Sequence, residues 1–478
     1  MSSLKQFSKD TFIYGAGYIL VRFVSFLLVP IYTNSFSQSE YGTLALIFAF
    51  IGFMQIFYNH GMASSLMKFY DDDNKESSVT IIFSSLFIIS LIFTILMLIF
   101  SRDLSQLLLG ANEPYWIKLI SGILFFDAIS VRALILFRMD GNSIKYIVIA
   151  LISVIITMGA NIVLVVQKGM GISGALQAAL IASLATFLLT FPKVFRTFRI
   201  KSFSRDLLKD IYRFGFPFIS VAFFQVMMDL SDRYLLDWML IGGREAVGVY
   251  NAGYKLGSLM LFVVTGFNLG WQPYFLKMKN NINAPENFSR IATWFVAMMV
   301  SVWVLCSLFV DQLISLKFFG ITLVGEKFHQ ASDIIPVIML SYIFLGFYDL
   351  LMPGIFYKSK SKALPVFRGI GAVSNIILNL IFIPIYGISG ASWATCVSFA
   401  AMSIPLYFYS QKLFFIPFNW KKIILLFVTG VIIFTTSQML VLSSATSFSM
   451  IIIYLLILFL MFRSEVKMLF LKRNIDGQ

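Results

Sequence analysis

The sequence predicts an all-α polytopic membrane protein of about 14 transmembrane helices, arranged as two parallel-repeat six-helix lobes plus two C-terminal helices. Three observations predict it. Of 478 residues, 59% are hydrophobic and 13% charged, against about 45–50% and about 25% in a soluble domain. Apolar stretches near 20 residues, the length that crosses ~30 Å of hydrocarbon, recur along the whole chain. The basic residues gather on alternate connections between those stretches. With so little charge the chain cannot cover a water-facing surface, and soluble, secreted and nucleic-acid-binding classes are excluded.

In order, the spans are read at 12–34, 42–63, 79–100, 116–137, 146–167, 172–192, 212–231, 247–274, 291–313, 332–356, 364–385, 389–411, 421–440 and 447–463. The first is too long for a signal peptide and is interrupted by Arg22. With the N-terminus placed inside, 27 of the 37 Lys and Arg fall on inner segments, including seven from Lys193 to Arg213 and Arg368 at the start of the eleventh span. Seven fall on outer loops, among them Arg233 and Arg244, and three (Arg22, Arg132, Lys255) fall inside spans. That asymmetry places both termini in the cytoplasm and turns the net charge of +14 into a topology signal. Cys306 and Cys396 both lie within spans, so neither a disulfide framework nor a metal-ligand spacing is present.

The basic connection divides the chain into an N-lobe (1–192), a cytoplasmic linker (193–213), a C-lobe (214–412) and a tail segment (413–478) holding two more spans. An internal repeat supports the division. NIVLVVQKGMGISGA from Asn161 is echoed by NLIFIPIYGISGA from Asn379, with GISGA recurring at Gly171 and Gly387. A weaker echo links Glu40–Gly42 with Glu245–Gly248. Each half begins inside, so the repeats are parallel, an arrangement that places a transport site between the halves. The glycines read as tight turns with small residues for close helix packing. Prolines in or near spans, including Pro30, Pro217, Pro273, Pro336, Pro353, Pro365 and Pro405, suggest kinks.

Ionisable residues inside spans carry the functional signal, because a charge at the bilayer centre costs at least ~2.5–3.5 kcal/mol and faces a cavity or a partner. Arg22, Arg132 and Lys255 read either as a cationic cavity for an anion or as interhelical pairs, Arg132 with Asp127 for example. Arg22 and Lys255 have no acid within their own spans. Asp229, Asp232, Arg233 and Asp237 close the seventh span, with Asp229–Arg233 and Arg233–Asp237 at i,i+4. This cluster reads either as part of the site or as a salt bridge at the membrane edge. Asp127, Asp229, Asp232 and Asp349 are the acids that either couple to H+ or Na+ or serve structure. His60 reads as an interfacial histidine. Walker A, HExxH and Gly-x-Ser-x-Gly patterns are absent, and the outer loops are too short for a catalytic domain, so the expectation is a non-enzyme without cofactor or bound metal.

The opening FIYGAGYILVRFVSFLLVPIYTNSFSQSEYGTLALIFAF, with Gly15, Gly17, Pro30 and Ser39-Glu40-Tyr41-Gly42, resembles the start of bacterial polysaccharide (O-antigen, Wzx-type) oligosaccharide flippases. These belong to the multidrug/oligosaccharidyl-lipid/polysaccharide exporter superfamily. Gly61 to Tyr70 (GMASSLMKFY), the GISGA turns and the layout of six, six and two spans are similar too. The resemblance implies alternating-access movement of an undecaprenyl-diphosphate-linked oligosaccharide across the bacterial cytoplasmic membrane. Its implied partners are that lipid-linked glycan, membrane lipid and polysaccharide-assembly proteins. It implies that Arg22 and Lys255, and Arg132 with them, face a cationic cavity, and that the last two spans form a lipid-tail groove. A lipid II or teichoic-acid flippase and a cation-coupled drug exporter of the same superfamily are the alternatives. A polymerase or ligase would need an outer domain that the 314–331 loop does not supply.

Overall fold

The computed structural model describes residues 26–71, 74–318, 320–439 and 444–475, and Arg22 lies outside them. The described chain is 87% helical. Twelve of its segments are long and apolar enough to cross a membrane. One of these, Ser361–Leu413, has 53 residues; at ~1.5 Å per residue it would be ~80 Å long, far more than one crossing. It folds back at Gly387 (φ 59°, ψ −133°), so Gly371 meets Met402 and the Phe367 and Tyr409 rings lie 5.5 Å apart. That segment is two spans, and the first expected span lies partly outside the described residues, in line with about 14 helices.

The chain runs through α1 (26–35), α2 (Gln38–Asn59), α3 (Met62–Phe69), α4 (Lys75–Ile99), α5 (Ser101–Leu109), α6 (Pro114–Met139), α7 (Ser143–Asn161) and α8 (Gly171–Thr197). The second half holds α9 (Arg205–Gly215), α10 (Pro217–Met239), α11 (Gly243–Gly257), α12 (Met260–Lys277), α13 (Ala284–Leu308), α14 (Val310–Ile314), α15 (Ile335–Leu350) and α16 (Met352–Tyr357). α17 (Leu364–Leu413), α18 (Trp420–Met439) and α19 (Ser444–Ile475) complete it. A two-residue hairpin pairs Lys317–Phe318 with Ile321–Thr322.

Local sequence explains the breaks. Ser37 and Glu40 form a reciprocal capping box that starts α2. α2 stops where His60 (φ 33°) and Gly61 (φ 81°) turn left-handed. Pro217, Pro336, Pro353 and Pro365 do not kink helices as the sequence suggested; each sits in the first turn of α10, α15, α16 or α17, where a missing N–H costs nothing. Pro273 and Pro405 do lie inside helices.

α4, α6, α7 and α8 pack on one another, and α10, α13, α15 and α17 form a second group. α18 and α19 dock on α13 through Trp303–Phe434 and Trp294–Phe462 contacts with ring centroids 5.5 and 4.2 Å apart. Both GISGA copies open on a glycine with positive φ, Gly171 at 57° and Gly387 at 59°. Three residues on, Gly174 and Gly390 press against the carbonyls of Leu164 and Phe382. Upstream, Asn161 and Asn379 each donate to the carbonyl four residues back, at 2.8 and 2.9 Å. Gly387→Val places a β-branched side chain at φ 59°, ψ −133°, a backbone region open essentially to glycine alone, and should cost about 1–3 kcal/mol. Thermal unfolding of the detergent-solubilised protein checks this.

Candidate functional site

The two helix groups meet where α2 crosses α11. A Cβ on Gly42 would lie 1.8 Å from the Arg244 carbonyl oxygen, and one on Gly248 would lie 2.1 Å from that of Gln38. The backbones touch, which only glycine at both positions permits. The same end carries further cross-contacts. Arg244 holds Asp237 at 2.9 Å and also donates to the Leu109 carbonyl at 2.6 Å. Asn34 and Thr322 exchange two hydrogen bonds of 2.8 Å. Gly325 N–H donates to Thr33 at 3.0 Å, and Tyr234 hydroxyl to the Leu46 carbonyl at 3.0 Å. Tyr41 meets Phe328 edge-on at 5.6 Å. This end is closed.

Toward the opposite end, which carries the basic 193–213 segment and is called the basic end below, α2 and α10 frame a crevice. Its cavity of about 330 Å3 is lined by Asn59, Gly61 and Ser64 on one side, and by Gln225 of α10 and Arg368 of α17 on the other. A second cavity of about 330 Å3 adjoins it, lined by Asn268, Trp271, Tyr348 and Asp349, and Arg368 lines this one as well. Arg368 is half-buried. Its guanidinium donates to Gln225 Oε1 at 2.6 Å and lies 4.6 Å from the centre of the Tyr348 ring. The Gln225 amide passes the interaction to Asp229 at 2.7 Å. Asn268 donates to the Asp349 carboxylate, and Trp271 Nε1 to the Asp349 carbonyl at 3.1 Å. Below the crevice, Gly61 presses on the Gly215 carbonyl, and Ser65 donates to the Ile211 carbonyl at 2.9 Å.

The residues singled out from sequence scatter around this geometry. Arg132 is buried, at 8% exposure, and stands behind the crevice wall, donating to Asn59 Oδ1 at 2.8 Å. It reaches the Asp127 carbonyl at 3.5 Å, while the Asp127 carboxylate is bonded to Ser183. Lys255 is half-buried on α11 and lines neither cavity. Asp349 and Asp229 flank Arg368. Arg368 itself was assigned to an inner segment; the signal that could have found it is its position four residues into a span.

The seventh-span cluster differs from expectation. Arg233, placed on an outer loop from sequence, is 3% exposed, and Asp232 is fully buried. Arg233 pairs with Asp232 at 2.9 Å rather than with the carboxylates four residues away. It also donates to the Asp229 carbonyl at 2.7 Å and the Asn251 side chain at 3.3 Å, with the Tyr254 ring at 4.5 Å. Tyr250 hydroxyl donates to Asp232. The expected partner, Asp237, goes to Arg244 instead. A buried guanidinium needs several acceptors at once, and only the interior between α10 and α11 supplies them. Nearby, Ser231 donates to Asn375 at 3.3 Å, and Asn375 Nδ2 and Asn379 Oδ1 lack partners among the described residues. His60 is also interior, at 8% exposure, with Nε2 2.8 Å from Ser85 Oγ. No cluster of three or more His, Cys, Asp or Glu suited to a metal occurs among the described residues.

A helical transporter scaffold, closed at one end between two helix groups and polar in the crevice, is the class that this arrangement defines. The model of the family described as "Polysaccharide biosynthesis protein" matches residues 7–279, and the chain belongs to that family. Nothing among curated proteins matches it. Among solved structures it is similar to the lipid II flippase MurJ in an inward closed conformation, with a TM-score of 0.74 and 16% identity, covering 95% of this chain and 100% of that one. An inward-facing multidrug resistance MATE transporter of the MOP superfamily gives 0.66 at 15% identity, covering 82% and 94%. A MOP-superfamily transporter from Pyrococcus furiosus, described as having a binding pocket of reversed polarity, gives 0.56 at 13%, covering 85% and 94%. The chain therefore shares its fold with those proteins.

Replacing Arg233 with Met leaves Asp232 buried and unpaired and should cost about 3–5 kcal/mol. The double change Arg233→Met with Asp232→Leu should recover much of that loss in thermal unfolding, since it removes both charges from the interior.

Proposed function

We propose that this chain is a flippase that carries a polyprenyl-diphosphate-linked oligosaccharide across the bacterial cytoplasmic membrane by alternating access, with the basic end and both termini in the cytoplasm. The observation that carries the reading is the crevice. It is sealed at one end by the Gly42–Gly248 contact, and its cavity is lined by Arg368 with Arg132 behind the wall. A diphosphate cannot cross hydrocarbon bare, whereas its polyprenyl tail can stay in lipid. Guanidinium groups give phosphate oxygens charge-assisted hydrogen bonds. Arg368 is held by Gln225 and packs against Tyr348, and its half-buried guanidinium, with five N–H donors in all, borders both cavities.

Family membership supports a polysaccharide precursor as the cargo. The reading keeps Arg22 and Lys255 as further cationic contacts along the path and assigns no covalent chemistry to the chain. Among the acids, Asp349 borders the same cavity as Arg368, so it is the carboxylate we assign to coupling with H+ or Na+. A lipid II-like substrate is the second reading. It is favoured by the MurJ similarity, which covers 95% of this chain against 82% for the MATE transporter.

In cells that depend on this chain for surface polysaccharide, Arg368→Gln should lower export about 10- to 150-fold, the range that loss of a charged hydrogen bond of about 1.5–3 kcal/mol implies. Arg368→Lys should retain part of it. Arg22→Gln and Lys255→Gln, made separately, should each reduce export. Wild-type export by all three Gln variants at normal protein level overturns the cavity reading. Purified protein in liposomes that flips lipid II but not an oligosaccharide-bearing polyprenyl diphosphate would select the second reading.

A further inference from the structure

On the first helix group, sharing no residue with the crevice, α6, α7, the turn between them and α8 line an open-sided cavity of about 410 Å3. A water occupies about 30 Å3 of liquid volume, so the space suits a group of headgroup size rather than a lone ion. Its two halves differ in chemistry. Ile149, Ile152 and Leu189 make an apolar wall, while Lys145, Lys193 and Arg196 stand with Asp140 at the polar side.

Asp140 does not cancel that charge. Its carboxylate is bonded to Lys193, to Lys75 at 2.7 Å and to the Tyr70 hydroxyl at 2.8 Å. Partial burial favours its neutral form, but the hydrogen bonds from Lys193, Lys75 and Tyr70 prevail and hold it at about 2. It is therefore ionised at neutral pH, and against its one negative charge stand Lys75, Lys145, Lys193 and Arg196. Lys145 and Arg196 are exposed. The apolar wall continues outward into exposed Val148, Leu188 and Phe195, the surface that a membrane-spanning helix turns to acyl chains.

We propose that this cavity binds the phosphate headgroup of an anionic phospholipid from the surrounding leaflet, with the start of an acyl chain along Ile149, Ile152 and Leu189. Charge complementarity selects the phosphate, and the apolar wall selects a lipid over a soluble anion. Basic groups at the polar boundary of a membrane protein attract anionic lipid in this way. The cavity is separate from the transport path, so the site concerns a resident lipid rather than the cargo.

The full-length protein is reconstituted in phosphatidylcholine nanodiscs doped with phosphatidylglycerol, and the lipids retained on it are weighed by native mass spectrometry. Wild type should retain phosphatidylglycerol above its share of the bilayer. The double variant Lys145→Gln with Arg196→Gln should lose that enrichment by about fivefold per charge removed. Lys277→Gln with Lys279→Gln, the same charge change at exposed lysines elsewhere, should keep it. Thermal unfolding of each variant verifies that it is folded. Equal enrichment in wild type and the Lys145/Arg196 variant overturns the proposal. So does an equal loss in the Lys277/Lys279 control, which would mean general surface attraction. A wild-type stabilisation by inorganic phosphate in pure phosphatidylcholine nanodiscs as large as that by phosphatidylglycerol also overturns it, and assigns the cavity to a soluble anion.

Discussion

Two backbones meet with no side chain between them where α2 crosses α11, and the placement of the two helix groups follows from that contact. Gly42 and Gly248 let the helices approach until each main chain touches the carbonyl of the other segment. Around this point the closed end assembles its hydrogen bonds: Asn34 with Thr322, Thr33 with Gly325, Arg244 with Leu109. With one end held so tightly, space opens between the groups below it. The crevice at Asn59, Gln225 and Arg368 occupies that space. Each glycine meets the carbonyl four residues before the other, Gly42 that of Arg244 and Gly248 that of Gln38, so the two helices contribute matching faces to one joint.

Hydrocarbon offers polar groups nothing, so each buried charge had to find its partners inside the protein. Two solutions coexist. Asp232 and Arg233 are buried between α10 and α11 with Tyr250 and Asn251, paired with each other inside the helix packing. Arg368 instead stands half-buried where two cavities meet, partly held by Gln225 and Tyr348. The difference is access. A charge paired inside the helix packing has no route to a ligand, while one that borders a cavity does. Asp349, bordering the second of those cavities and bonded to Asn268, belongs with Arg368 in this respect.

Much of the architecture was legible because the bilayer imposes one length and one pattern. Apolar runs near 20 residues mark crossings whatever they pack against, and the GISGA duplication marked two turns that each open on a glycine with positive φ. The breaks at His60–Gly61 and Gly215–Pro217 were less legible. Hydropathy does not register where a helix changes direction, and Pro217 serves as a helix start rather than a kink. Arg368 was hidden for a related reason: four residues from a span boundary, an arginine in a loop and an arginine aimed into a crevice look alike along the chain.

By itself the sequence determined the membrane class, the helix content, the approximate crossings and the kinship with the polysaccharide biosynthesis protein family. Each of these rests on local composition, length or short motifs, which need no knowledge of what lies beside what. Only the tertiary structure decided which charges share a space. Arg233 took Asp232 and left Asp237 to Arg244, and Arg132 took Asn59, a residue 73 positions away. Partners of that kind are set by how helices cross, and the crossing is governed by side-chain contacts distributed over the fold, so no spacing along the chain encodes it.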